Sequence, residues 1–217
     1  MMLTAHGGAM KTGRNSRRFF ETVHRYPVDV IEVDVRRRKN RLYISHGKAL
    51  FSNRAIALSY VFDYISQHGL KVNCDLKEKG IIGDVIRLAE SKGVADRLIF
   101  TGNIAQKDLL DITAGEVYVN IGYYFPIIPI AKNLETIKDI LEKGGNRHIK
   151  GLNIPYQLAT EQFIDRANEL GIPLSVYTVD NPFVLKKLIC RNIANITTNA
   201  LDKAIELMKE CHLGDYQ

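Results

Sequence analysis

One pattern constrains this chain more than any other. Short apolar or alternating runs recur eight times along its 217 residues, and each is followed by a segment of helical period. The strand candidates are Leu3–Ala5, Val28–Val35, Leu70–Leu76, Arg97–Thr101, Glu116–Ile121, His148–Ile154, Pro173–Val179 and Ile193–Thr197. The helix candidates are Ser16–Arg25, Arg54–His68, Ile81–Ser91, Gln106–Thr113, Asn133–Glu142, Thr160–Leu170, Pro182–Ile189 and Leu201–Cys211. Gly69, Gly93, Gly144-Gly145 and Gly171 fall just past four of these helices, where a left-handed residue ends a helix cheaply. Strict strand-then-helix alternation implies a parallel sheet, and eight units are the number that closes a barrel. The competing architecture, an open doubly wound sheet, lacks the Gly-rich phosphate loop after its first strand. The expected fold is therefore α/β, a (β/α)8 barrel of the TIM type. With no linker-like or low-complexity stretch, it is expected as one domain over residues 1–217. Arg41–Ser45 departs from the alternation, and a hairpin there would carry His46 back over the top of the barrel.

Composition excludes several function classes. Hydrophobic residues make up 46% and charged residues 25%, with no apolar run long enough to span a membrane. Thirty Lys and Arg against 24 Asp and Glu leave a formal charge of +6, which favours anionic small molecules, nucleic acid or acidic lipid surfaces without choosing among them. No nucleic-acid motif accompanies that charge, so nucleic acid is not an expected partner, while contact with a membrane surface stays open. Nothing in the pattern bears on oligomeric state. Cys74, Cys190 and Cys211 are too few and scattered for a disulfide framework or a metal-ligand spacing, and are expected to be reduced. No basic stretch followed by an apolar region opens the chain, so a cytoplasmic protein is expected unless a leader has been removed.

In such a barrel the reactive residues sit at the carboxyl ends of the strands. His6 ends the first strand candidate. Glu32 and Asp34 lie two apart on the second, so strand pleating points both to one face while Ile31, Val33 and Val35 take the other. The same arithmetic pairs Asp75 with Lys77 and turns Cys74 and Leu76 away as packing residues. Each feature has a bland alternative, a solvated acid pair or a satisfied histidine, but three carboxylates converging on one mouth repel each other unless a cation neutralises them. An oxygen-liganded divalent ion, Mg²⁺ or Ca²⁺, is the economical solution.

Several motifs, in order, carry a resemblance: Ala5-His6-Gly7-Gly8, Ile31-Glu32-Val33-Asp34-Val35, Ser45-His46, Asn73-Cys74-Asp75-Leu76-Lys77, Val176-Tyr177-Thr178-Val179-Asp180 and Ile196-Thr197-Thr198-Asn199. Together they resemble the glycerophosphodiester phosphodiesterase family over nearly the whole chain. The resemblance implies that Glu32, Asp34 and Asp75 hold one divalent metal, that His6 and His46 are the acid/base pair, and that Lys77 and Tyr177 bind a small phosphodiester substrate. It implies hydrolysis to glycerol 3-phosphate and an alcohol, with His6 as base and His46 as acid.

The chain departs from that pattern in three places. Gly7 stands where the family has Arg, and Arg14 where it has Glu, so Arg14 is expected to supply the missing phosphate contact from the neighbouring loop. Asp75 stands where Glu is common. Asp75, His46-Gly47 and Gly7 are also similar to the phospholipase D toxins, which cleave or cyclise choline-type lipid phosphodiesters. A barrel that merely binds a phosphorylated ligand is the alternative from another class, opposed by the retained histidine pair. Tyr123-Tyr124-Phe125 and Tyr156 are further candidates for the mouth. The basic run Arg36, Arg37, Arg38, Lys39 and Arg41 reads as a solvated loop or as a steering patch for anions.

Overall fold

The computed structural model describes residues 1–48, 55–110, 112–124, 134–143 and 146–214. Eight parallel strands close into a barrel: β1 (Met2–Ala5), β2 (Val30–Arg38), β4 (Lys71–Leu76), β5 (Leu98–Gly102), β6 (Glu116–Asn120), β7 (Ile149–Pro155), β8 (Leu174–Tyr177) and β9 (Asn195–Thr198). Pairing of β1 with both β2 and β9 closes the ring. The remaining strand, β3 (Arg41–Ile44), runs antiparallel to the end of β2, from Val35 opposite Ile44 to Arg38 opposite Arg41. That is the extra hairpin the sequence predicts.

Between the strands lie α1 (Arg17–Val23), α2 (Leu58–His68), α3 (Ile82–Ser91), α4 (Gln106–Leu110), the single turn α5 (Ile121–Tyr124), α6 (Leu134–Lys143), α7 (Glu161–Glu169), α8 (Pro182–Ile189) and α9 (Leu201–Gly214). Local chemistry starts three of them: the side chains of Ser16, Thr160 and Asn181 accept from backbone N–H groups of the first turns, and Pro182 follows Asn181 at a position where no N–H is needed. Gly69, Gly93 and Gly171 are left-handed, as their spacing predicts. Arg54, Asn133, Gly144-Gly145, Phe125 and the side chains of Tyr123 and Tyr124 lie outside the described residues.

Strand pleating divides the packing into two. Outward residues such as Ile31, Val33, Val35, Cys74 and Leu76 join the helices in the main core, where Phe19, Phe20 and Phe62 are fully buried; each such side chain contributes about 1.5–3 kcal/mol. Inside the barrel, Val30, Ile99 and Tyr118 form a small separate apolar floor with Met2 and Ala194. Above it the interior is polar: Thr4 bonds Asn195, Asn195 bonds Ser175, Thr101 bonds Asn73, and Asn153 bonds Asn120, at 2.6–3.1 Å. These buried groups satisfy one another, so the reactive mouth rests on a hydrogen-bonded layer rather than a yielding one.

One expectation is overturned. Cys190 and Cys211 are not reduced thiols but a disulfide, joining the C-cap of α8 to α9. Packing of these consecutive helices brings the two Cα atoms to 6.3 Å, within the reach of a bridge, although 21 positions separate them in sequence. Cys74 is free and buried as expected.

Candidate active site

At the carboxyl end of the barrel, Glu32, Asp34 and Asp75 each turn one carboxylate oxygen toward a common point, all within 4.8 Å of one another. Period-2 pleating of β2 and β4 places them there, and Asp34 pairs in register with Asp75. Lys77 continues that face of β4 and bridges the two aspartates, with Nζ 2.6 Å from Asp34 and 2.5 Å from Asp75.

The electrostatics follow from this crowding. Burial, then the charges of Asp34 and Asp75, push the Glu32 carboxyl up to about 8, against the opposing hydrogen bond from the Gly7 N–H at 2.7 Å and the charge of Lys77. Burial likewise raises Asp75, with Lys77 opposing. Burial alone would raise Asp34 too, but the Lys77 ammonium, Asn15 and His46 bring it below the usual carboxylate range. Lys77 is held above its ordinary value: burial opposes its charge, but Asp75 and Asp34 more than offset it. A lone lysine therefore compensates Glu32 only in part, and an all-oxygen donor set whose three carboxylates outnumber the one cation when ionised fits a hard divalent cation.

The histidines stand on either side. His6, just past β1, lies with Nε2 4.0 Å from Glu32. Its other nitrogen, Nδ1, is 3.0 Å from Oδ1 of Asn199. The Asn199 amide is oriented by Asp180, which accepts from Asn199 Nδ2 at 2.9 Å and from its backbone N–H at 2.8 Å. A carboxylate can only accept, so the amide NH2 faces Asp180, Oδ1 faces His6, and His6 carries its proton on Nδ1. Nε2 is left as a lone pair aimed into the site. Burial lowers the His6 pKa, opposed by Asp34 and assisted by Arg14, which keeps the imidazole neutral and able to accept a proton.

His46 arrives on the β2–β3 hairpin, as the sequence predicts. Its Nδ1 lies 3.2 Å from Asp34, and its side chain is 56% exposed, so Nε2 is open to a ligand. The basic run contributes here in a way the sequence reading did not foresee. Arg36 donates from Nε and Nη2 to the His46 carbonyl at 3.2 and 2.9 Å and from Nη1 to Glu78, anchoring the hairpin end that presents the imidazole.

The substituted loop has its own logic. A Cβ on Gly7 would stand 2.9 Å from the Glu32 carbonyl and 3.1 Å from its carboxylate, so this backbone has no room for the arginine of the family pattern. Arg14 packs over Gly8, and its charge acts on His6, so it lies beside the site. Tyr177, at the end of β8, points its hydroxyl toward Asn120 at 3.5 Å. Tyr156 lies in a short helical turn after β7, packed against the core.

Three contributors escaped role assignment from sequence. Asn15 clamps Asp34 from both sides, donating Nδ2–H to its carboxylate at 2.8 Å and accepting its backbone N–H at 3.1 Å. The Asp180–Asn199 pair orients His6. Gly102, at φ +87°, lets β5 pass Asp75 so closely that a Cβ would fall 2.1 Å from Oδ1. Asp180 and Asn199 sat in the quoted motifs, and Asn15 directly follows Arg14 in the substituted loop; a glycine ending a strand that adjoins the acid-bearing one was the available signal for Gly102.

No protein-family profile matches the chain, and no curated protein matches it. Solved structures do. A glycerophosphodiester phosphodiesterase of Thermotoga maritima superposes with a TM-score of 0.76 at 20% identity, covering 95% of this chain and 98% of that one. Its fold is that of the solved glycerophosphodiester phosphodiesterases. One from Parabacteroides distasonis gives 0.74 at 18% identity over 99% and 98% of the two chains. A phosphodiesterase of Oleispira antarctica, solved with the product sn-glycerol-3-phosphate, gives 0.74 at 15% identity over 96% and 97%. The glycerophosphodiester phosphodiesterase fold thus spans nearly the whole chain.

Proposed function

We propose that this protein is a metal-dependent phosphodiesterase that hydrolyses small glycerophosphodiesters to glycerol 3-phosphate and an alcohol. The observation that carries the reading is the meeting of Glu32, Asp34 and Asp75 with two histidines of opposite disposition at one barrel mouth. A divalent cation held by the three carboxylates supplies charge neutralisation and polarisation of the phosphoryl group.

The chain's own residues account for the proton transfers. His6, with its proton fixed on Nδ1, accepts a proton at Nε2 from the attacking hydroxyl, which is either a substrate hydroxyl beside the ester or water. His46 acts as the imidazolium: its Nδ1–H is held by Asp34 and its Nε2–H is donated to the departing alcohol oxygen. Lys77 and Arg14 bring cationic donors to the phosphate oxygens, and Arg14 replaces the side chain that Gly7 cannot carry. Tyr177 lines the substrate side.

Phosphorus NMR of glycerophosphocholine, glycerophosphoethanolamine and lysophosphatidylcholine tests this, with Mg²⁺, Ca²⁺ or chelator and alongside His6→Ala. Metal-dependent glycerol 3-phosphate, absent in the variant, is expected. A cyclic phosphate end product would instead assign the cyclising chemistry, and no turnover of any diester would refute the enzyme reading. Arg14→Ala should weaken substrate affinity; unchanged KM would refute its compensating role.

A further inference from the structure

The basic run leaves a second feature that the mouth does not use. Along β2, Arg36 shares the inward register of Glu32 and Asp34, whereas Arg37 falls in the outward register of Val33 and Val35 and leaves the site altogether. It lines a cleft of about 630 Å³ on the outer flank of the hairpin, bounded by the first turns of α2 and the middle of α3. Among the described residues, four cationic side chains, Arg37, Lys39, Arg41 and Arg87, face it against a single carboxylate, Asp84. The cations are partly ordered: Asp84 holds the guanidiniums of Arg37 and Arg87 side by side, and Arg41 donates to the Ala55 carbonyl at 3.0 Å. Leu42 and Leu88 contribute an apolar wall between them.

This charge imbalance is local. On the opposite flank the long cations meet carboxylates in comparable number: Arg166 with Glu135 and Glu169, and Lys187 and Arg191 with Glu161 and Asp165. At the hairpin one aspartate serves two arginines, and a guanidinium has five N–H donors, so each retains donors for a further acceptor. Planar guanidinium forks match phosphate oxygens.

We infer that this cleft is an anion site for a phosphate group carrying at least two negative charges, distinct from the barrel mouth. Its volume exceeds that of one phosphate and accommodates a diphosphate or a phosphate monoester on a headgroup. The ligand is either a soluble phosphate compound or the headgroup of an anionic lipid, which present the same chemistry. Occupation would brace the hairpin whose far end carries His46. The site stands independently of the reaction proposed for the mouth.

Pyrophosphate is the probe, titrated in metal-free buffer so that no divalent cation couples it to the carboxylates of the mouth. Amide chemical shifts followed by NMR should move saturably at Arg37, Arg41, Ser59 and Arg87, and the Arg41→Glu/Arg87→Glu variant should weaken binding at least about tenfold, the loss expected from one charge-assisted hydrogen bond or more. Arg87→Glu alone, at a side chain 70% exposed, keeps the test valid should the double variant fold poorly. Sedimentation with phosphatidylcholine vesicles, with and without phosphatidic acid, separates the sources. Recruitment by phosphatidic acid that pyrophosphate reverses assigns a lipid headgroup; pyrophosphate binding without recruitment assigns a soluble ligand. Non-saturable or scattered shifts, or undiminished binding by the charge-reversed variants, would overturn the proposal.

Discussion

Glu32 makes the metal-free protein sensitive to alkali. Its carboxyl titrates near 4.5 in an unfolded chain and at about 8 in the folded one. Between those values the native state holds a proton that the unfolded chain has released, so raising the pH favours unfolding. The stabilisation is complete below about pH 4.5 and gone by about pH 8, reckoned from the two titration points. At about 1.4 kcal/mol per pH unit, the gap sets a ceiling of roughly 5 kcal/mol, and water entering the open mouth reduces the expected fall from pH 5 to 8 to about 2–3 kcal/mol. Urea denaturation in chelator at the two pH values measures it. Glu32→Gln, which keeps an acceptor for the Gly7 N–H, should flatten the decline. A divalent cation at about a hundred times its Kd should add roughly 2.7 kcal/mol, more fully at pH 8, where its ligands are ionised. If Glu32→Gln retains the wild-type slope, or if neither Mg²⁺ nor Ca²⁺ offsets the decline, the charge assignment at the mouth is wrong.

Gly102→Ala should cost about 2–4 kcal/mol, from a Cβ at positive φ and its collision with Asp75, and should weaken divalent-ion binding measured by calorimetry. Asp180→Asn releases the Asn199 amide to rotate, so kcat should fall about tenfold or more with little change in KM, and the His6 ring-nitrogen NMR shifts should show a mixture of tautomers. Cys190→Ser should lower stability by about 3 kcal/mol, the chain-entropy value for a loop of this size, and a reducing agent should remove the same amount from the wild type.

The strand-helix alternation carried the barrel, and the pleat of β2 and β4 carried its acidic face. Both are short-range: a backbone of period two aims Glu32 with Asp34, and Asp75 with Lys77, whatever the rest of the chain does. The hairpin that returns His46 was legible for the same reason, as a second alternating run close behind the first. Closure of the ring decided what the period could not. It set Asn199, 193 positions from His6, against the imidazole and thereby selected which nitrogen is free. It folded the loop after β1 so that Asn15 clamps Asp34 and Gly7 leaves no space for a side chain. It also drew β5 across Asp75 at Gly102 and packed α8 on α9 closely enough to join Cys190 to Cys211. Local periodicity thus specified which residues face the mouth, because pleating acts over two residues; the partner of each was left to the path of the loops and the closure of the barrel, which bring together groups that no sequence interval relates.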